Sequence, residues 1–331
     1  MPKIKVSVVI PVYNASAFIE KSYHSIINQQ ITDFEIIYVD NNSTDQSVKE
    51  ILKLKEQDAR VSLHYQKKQG AGPTRNLGIE KAKGDYIYLL DVDDEVYPNA
   101  LKQMRAVLER YPEVDAVFGK MRKSFKVISE TTQTNNDTLE VTLRKKPYWG
   151  LRWFSNLKYV VGPPAFLYRA SVFKRIGAYN TELRLGQDTA FDIKLGMLCN
   201  VAFLDMYVYL YLKHDSSTTQ NAKKNTPRAF MVWPRLVKEH LPFYLEHAVP
   251  HRFKTLLFAQ IYQSMGRQIL FTHRFQDRMD LKKRLLSEVE AIKVPFLIQF
   301  SLSILVFFPF ENLGKIYRYY LVRRIIKKLK D

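Results

Sequence analysis

Tyr88-Leu89-Leu90-Asp91-Val92-Asp93-Asp94 decides the reading of this chain. An apolar, aromatic run ends in three carboxylates, the pattern of a buried strand that delivers acid groups to its carboxyl end. Crowded carboxylates repel one another, and a fold tolerates them where a cation bridges them. Oxygen ligands of this kind suit Mg2+ or Mn2+, which are held by one or two carboxylates together with substrate phosphates. An isolated Asp-Val-Asp is ordinarily a solvated turn, so the neighbouring segments carry the argument.

Working outward, short β-branched or aromatic runs predict strands at Lys5–Ile10, Phe34–Asp40, Val61–Tyr65, Tyr86–Asp91 and Val114–Gly119. Helical patterns fall between them at Ala17–Gln29, Ser47–Gln57, Thr74–Lys83 and Pro98–Tyr111. Pro73 and Pro98 stand where a first helical position is expected, which suits a residue without a backbone donor. The alternation predicts a mostly parallel sheet with helices on both faces. Ligands of such sheets bind beyond the carboxyl ends of the strands.

Three more pieces fall at those ends. Val8-Val9-Ile10-Pro11-Val12-Tyr13-Asn14 closes the first strand, with Asn14 or Ser16 expected to cap the next helix. Ile37-Tyr38-Val39-Asp40-Asn41-Asn42-Ser43-Thr44-Asp45 ends the second in a turn rich in amides and hydroxyls. Gly70-Ala71-Gly72-Pro73-Thr74-Arg75-Asn76-Leu77-Gly78 leads into a helix with an arginine near its start. Asp40 can accept the imide N–H of a pyrimidine, and Arg75 offers positive charge to a diphosphate. Together the four pieces describe a site for a nucleoside diphosphate with its metal.

These pieces, with Tyr168-Arg169, Phe173-Lys174-Arg175-Ile176-Gly177-Ala178-Tyr179 and Gly186-Gln187-Asp188-Thr189-Ala190-Phe191-Asp192, resemble glycosyltransferase family 2 over about residues 4–215. The resemblance implies an inverting, nucleotide-sugar-dependent enzyme of GT-A fold, a Rossmann-like mixed, mostly parallel α/β sheet flanked by helices. It implies that Pro11, Tyr13 and Asp40 hold the base, that Arg75 sits by the base or diphosphate, and that Asp91 faces the ribose. It assigns the Mn2+ or Mg2+ to Asp93 and the general base to Asp188, with Asp192 as the fallback. His214 stands where relatives often place a residue touching the diphosphate or metal. Two positions depart from the pattern: Gln187 replaces the first carboxylate of a Glu-Asp pair, and Asn41 replaces a frequent second aspartate. Trp149 and Trp153 are candidates for an aromatic platform under a sugar, against the alternative of core packing.

The composition bounds the rest. The chain has 331 residues, 46% hydrophobic and 25% charged, ordinary for a folded protein of about two domains. A single cysteine, Cys199, excludes a disulfide framework and a Cys-rich zinc module. The opening apolar run is too short for a signal peptide, so a cytoplasmic active part is expected. Net charge is +18, and residues 213–331 hold 22 Lys/Arg against 9 Asp/Glu. That surplus points to a polyanionic surface.

Residues 129–150 read as a loop, with strands expected again at Ala165–Tyr168 and Ala202–Tyr211 around a helix at Thr189–Leu198. Helix follows at Pro227–His247, His251–Thr272, Asp277–Ile292 and in two stretches after Pro295. The apolar run 294–310 is at the short limit for a span, and a basic tail follows it. A wheel from Leu313 places Ile316, Tyr317, Tyr320 and Leu321 on one face. The expectation is a catalytic domain over 1–215 and a helical region over 216–331 lying peripherally on the inner, anionic face of a cell membrane. There it would meet a glycan or lipid-linked acceptor. A sugar nucleotidyltransferase would need glycines after the first strand, where Val12-Tyr13-Asn14-Ala15-Ser16 stands. A nucleic-acid binder would need a reading element, and none is evident. A catalytically silent scaffold is the remaining alternative, with Gln187 as its one hint.

Overall fold

The computed structural model describes residues 5–131, 139–213 and 227–329. The chain divides into two compact units, residues 1–215 and 216–331.

The first unit is built on a nine-stranded sheet: β1 (Val6–Val12), β2 (Phe34–Asp40), β3 (Val61–Tyr65), β4 (Tyr86–Leu89), β5 (Glu95–Val96), β6 (Ala116–Ser124), β7 (Val141–Arg144), β8 (Phe166–Arg169) and β9 (Val201–Leu212). The order is β3-β2-β1-β4-β8-β6-β9-β5, with β7 also on β9. β3, β2, β1 and β4 run parallel, β8 is antiparallel to both its neighbours, and β6 runs parallel to β9. The expected mixed, mostly parallel sheet is therefore present. All seven residues of β2 are buried, as a central strand covered on both faces requires.

Helices α1 (Ile19–Ile27), α2 (Ser47–Gln57), α3 (Ala71–Lys81), α4 (Ala100–Arg110), α5 (Tyr148–Ser155), α6 (Ser171–Ile176) and α7 (Gln187–Leu198) connect the strands. α3 packs on β1 and β2. A Cβ at Gly78 would lie 2.2 Å from Val9 Cγ1, so the helix can sit this close only because that position is glycine. α5 and α7 cross through Gly150 and Gly196, where a Cβ on Gly196 would come 2.3 Å from the Gly150 nitrogen.

The details correct the sequence reading in several places. α3 starts at Ala71, three residues early, and Pro73 is its third residue rather than its first. The first turn needs no intrahelical N–H partners, so Gly72 and Pro73 are tolerated there. Pro98 precedes α4, which begins at Ala100 after Asn99 at φ +62. Within the expected 129–150 loop, β7 pairs antiparallel with β9 and α5 begins at Tyr148, while 132–138 lies outside the described residues.

The second unit contains α8 (Arg228–Arg235), α9 (Leu241–Glu246), α10 (His251–Phe271), α11 (Phe275–Ser287), α12 (Phe296–Phe307), α13 (Glu311–Ile316) and α14 (Val322–Lys328). The single helix expected at Pro227–His247 carries a π-helical turn at Leu236–His240, two residues past Pro234. Pro234 and Pro242 lack the N–H that a regular ladder uses, so the turns around them widen. A second π turn, Tyr317–Leu321, rotates the chain away from the expected wheel. Tyr317 faces inward on Gly266 and donates its hydroxyl to the Tyr262 carbonyl at 2.9 Å, while Ile316 and Tyr320 face solvent.

Candidate active site

The carboxyl ends of β1, β2 and β4 lie side by side because the register pairs Val12 with Asp40 and Val9 with Leu89. Pro11 is half-buried in β1, and Tyr13, just beyond, is 55% exposed. Asp40, the last residue of β2, is buried, with the Ser43 N–H at 3.3 Å from its carboxylate. It thus caps its own turn while lying at the sheet's end.

The loops above are tied together by polar side chains. Asn14, at φ +47, does not cap a helix; its Oδ1 accepts from the Thr44 N–H at 2.7 Å, and its own N–H donates to Ser43 Oγ at 2.9 Å. The Ser16 N–H donates to Asp45 at 3.0 Å, and Ser47 donates to Asp45 through both N–H and hydroxyl. Local desolvation of the carboxylate opposes ionisation of Asp45, but these bonds prevail and hold its pKa at about 2.

Asn41 explains its own departure from aspartate. Its amide donates to the Gln66 carbonyl at 2.8 Å and the Lys68 carbonyl at 3.0 Å, and its Oδ1 accepts from the Gly70 N–H at 2.7 Å. A carboxylate could make only the last of these bonds. The loop from β3 to α3 is thereby fixed to the end of β2.

That loop delivers Arg75. The guanidinium is buried, donates to Asp91 Oδ1 at 2.5 Å and lies 5.5 Å from the Tyr179 ring centroid. Burial disfavours its charge, yet Asp91, Tyr179 and Asp188 together hold it firmly protonated. The same electrostatics link α3, the end of β4 and the start of α7. Asn76 completes the link: its amide donates to the Tyr179 carbonyl at 2.8 Å, and its Oδ1 accepts from the Tyr179 N–H at 2.9 Å. Gln187 packs on Gly72, where a Cβ would come 2.8 Å from Gln187 Oε1, so the N-termini of α3 and α7 meet.

Asp188 is the second residue of α7, and its carboxylate accepts from the Thr189 N–H at 2.8 Å. The fallback base, Asp192, is fully buried; burial and then Asp188 push its pKa well up, against a weaker pull from the Gly162 backbone amide and Arg75. It is sealed from any acceptor in this structure.

The three carboxylates after β4 are indeed crowded. Asp94 is buried; one oxygen accepts from the Leu212 N–H at 3.1 Å and the other has no partner. Burial, then Asp91 and Asp93, drive its pKa well above the carboxylate range. A divalent cation beside Asp93 would relieve that repulsion, so the donor set fits the ion expected from sequence. Among the described residues no three metal-ligating side chains converge. His214 lies outside the described residues.

Neither tryptophan forms an open platform. Trp153 is buried, and Trp149 donates to the Val201 carbonyl at 2.8 Å and meets Phe118 edge-on in an aromatic cluster. Sequence reasoning missed Asn76 and Tyr179 as site-builders. The only signal for Asn76 was its place beside Arg75.

A family model described as glycosyl transferase family 2 matches residues 7–177. An uncharacterized glycosyltransferase of Haemophilus influenzae is 38% identical over 108 residues, 32% of this chain and 43% of the relative. The GalNAc(5)-diNAcBac-PP-undecaprenol beta-1,3-glucosyltransferase of Campylobacter jejuni is 37% identical over 106 residues, 31% of this chain and 34% of the relative. The matches thus span less than half the length of either relative. Among solved structures, S. aureus TarS 1-349 in complex with UDP-GlcNAc aligns with a TM-score of 0.66 at 18% identity, over 98% of this chain and 92% of that one. The mannosyltransferase PcManGT of Pyrobaculum calidifontis, in complex with GDP-Man and Mn2+, aligns at 0.52 and 16% identity, over 97% and 86%. At these identities the structural likeness is one of fold.

Proposed function

Because this chain belongs to glycosyl transferase family 2, with a GT-A-like fold, we propose that it transfers a sugar from a UDP- or dTDP-sugar to a hydroxyl of a lipid-linked glycan in bacterial-type cell-surface polysaccharide synthesis. The observation that carries the reading is the Arg75–Asp91 pair. It joins α3 to the end of β4, and Asp188 acts on the same guanidinium from α7. A TarS structure that contains UDP-GlcNAc supports the donor class, and the Campylobacter relative's undecaprenol-linked acceptor supports the lipid carrier.

In this reading Pro11 and Tyr13 pack the base and Asp40 accepts its imide N–H. Asp91 faces the ribose, and Arg75 lies beside the diphosphate. Asp93, with His214 assigned from sequence alone, would hold Mn2+ or Mg2+, whose charge offsets that growing on the leaving diphosphate. Asp188 takes the proton of the acceptor hydroxyl while that oxygen attacks the anomeric carbon. The carbon–oxygen bond to the diphosphate breaks in the same step, and configuration inverts. Gln187 leaves Asp188 without a like charge next to it in sequence. Positioning and fixed charge supply the remaining rate. Residues 1–215 carry this chemistry, while residues 216–331 keep the protein peripheral on the cytoplasmic face of the cell membrane.

The test is release of nucleoside diphosphate from a panel of UDP- and dTDP-sugars with Mn2+ or Mg2+, paired with the melting temperature in UDP or dTDP. Turnover of one donor identifies the sugar. Absence of both turnover and stabilisation by either nucleotide would end the transferase reading.

A further inference from the structure

Helix α12 contains no charged residue, and only Gln299, Ser301 and Ser303 in it are polar. A helix apolar around its circumference belongs in a core or in lipid. Here only one side is in a core: Ile298, Leu302, Leu305 and Val306 are buried, and the helix packs on α10 and α11. The other side is open, with Phe296 76% exposed and Leu297, Phe300, Ile304 and Phe307 exposed beside it.

The open face extends past the helix. The Phe307 ring meets exposed Phe275 of α11 at 5.2 Å between centroids, Phe296 lies on Phe300 at 6.0 Å, and exposed Phe308 lies near Phe310 at 6.4 Å. One aromatic surface is thus made by two helices and the turn that follows α12. A patch of this kind on a folded chain marks an interaction surface.

Charge narrows the partner. Arg274, Lys293 and Lys315 are exposed in the segments flanking the aromatic residues, and α14 exposes Arg323, Arg324, Lys327 and Lys328. Aromatic residues next to a cationic segment match a leaflet with an apolar interior and anionic headgroups.

Geometry narrows the mode. α12 has 12 residues, and among the described residues no helix is long and apolar enough to cross a membrane. Its inner side is also tied down: Arg278 Nε donates to the Val306 carbonyl at 2.8 Å, and Lys282 Nζ to Ser303 Oγ at 2.5 Å. A helix held in this way can enter lipid only by its outer face.

We propose that the outer face of α12, with Phe275, Phe308 and Phe310, seats in the headgroup boundary of an anionic leaflet, its axis along the surface, while the basic residues of α14 engage headgroup phosphates. The inference deepens the membrane contact proposed above and does not depend on the transfer chemistry.

The experiment is co-sedimentation of the full chain with phosphatidylcholine vesicles and with vesicles containing one-third phosphatidylglycerol, at physiological salt. Binding to the anionic vesicles alone is expected. Phe296→Ser/Phe300→Ser/Phe307→Ser should weaken it by about tenfold or more. Arg323→Gln/Arg324→Gln/Lys327→Gln should weaken it by about a hundredfold and flatten its salt dependence. All substituted side chains are exposed, and an unchanged melting temperature with an unchanged UDP-induced shift shows that folding and the donor site are intact. No binding to anionic vesicles, or binding indifferent to the phenylalanine substitutions, would overturn the proposal. So would a concentration-dependent dimer abolished by the same substitutions, which would assign the face to a second copy of the chain.

Discussion

The two units depart from the usual inside–outside division of side chains at different places. In residues 1–215, polar groups such as Asp40, Asn41, Arg75 and Asp94 are buried at strand and helix ends. In the C-terminal unit, the rings of Phe296, Phe300, Phe307, Phe308 and Phe310 are exposed. Each departure carries a cost, since buried polar groups need partners and exposed apolar area gains nothing from water. Such costs accumulate where a ligand or a surface is to be bound. The comparison predicts separable functions: changes in the first unit should alter chemistry and leave vesicle binding alone, and the reverse for the second.

The sharpest way to break that comparison is Asp188→Asn. The variant keeps the side chain's size and an oxygen for the Thr189 N–H but cannot take a proton. Transfer should fall by about a thousandfold or more, with the UDP-induced rise in melting temperature and vesicle binding both retained. Near-normal transfer would remove Asp188 as the base.

Arg75→Met should produce the next largest effect. It leaves Asp91 and Asp188 without the buried guanidinium between α3 and β4. Losing one partner of a buried pair costs about 3–5 kcal/mol, and Asp91's 33% side-chain exposure argues for the lower end. Denaturant unfolding should show this loss, and stabilisation by UDP should weaken with it. A variant as stable as the parent would mean that the pair is not what joins these elements.

Much of this site was legible in sequence because its residues follow strands whose patterns are unambiguous. β2 is found where expected, since a short apolar run with β-branched and aromatic residues reads as a buried strand, and Asp40 ends it. What was not legible depends on contacts between distant segments. β7 is a short, half-exposed strand whose pairing with β9 lies about sixty residues away. Trp149 and Trp153 read as a possible platform until Phe118, Phe166 and Phe203 enclose them. Tyr317 turns inward because it packs on Gly266 and bonds to the Tyr262 carbonyl of another helix, a contact no wheel anticipates. Asn41 shows the same limit most plainly. The sequence marks it as a departure, but its reason lies in two carbonyls that β3 brings alongside.

Asn41→Asp therefore tests the comparison within the first unit. Restoring the residue common in the family would replace two donated bonds, to Gln66 and Lys68, with repulsion between oxygens. The expected loss is about 1–3 kcal/mol of stability, measured by denaturant unfolding. The loop that delivers Arg75 should loosen, so the UDP-induced shift should shrink, while vesicle binding stays unchanged. A variant of full stability would show that Asn41 is a tolerated change and not a compensated one.

The smallest effect concerns acid. Asp45's pKa is depressed to about 2 in the folded chain, below the ordinary carboxylate value of 3.8. A depressed folded-state pKa means that its stabilisation is complete above the unfolded value and disappears as pH falls through about 2. Asp45 is exposed, so solvent screening keeps the contribution small. Between pH 4 and 2, Asp45→Asn should lose less stability than the parent, because part of the parent's acid sensitivity resides in this carboxylate. Parallel acid-melting curves for the two proteins would show that the loop network above β1 and β2 does not depend on Asp45 being charged. The polar links in the first unit would then owe their strength to shape and neutral hydrogen bonds, leaving charge to the Arg75 pair and to the basic surface of the second unit.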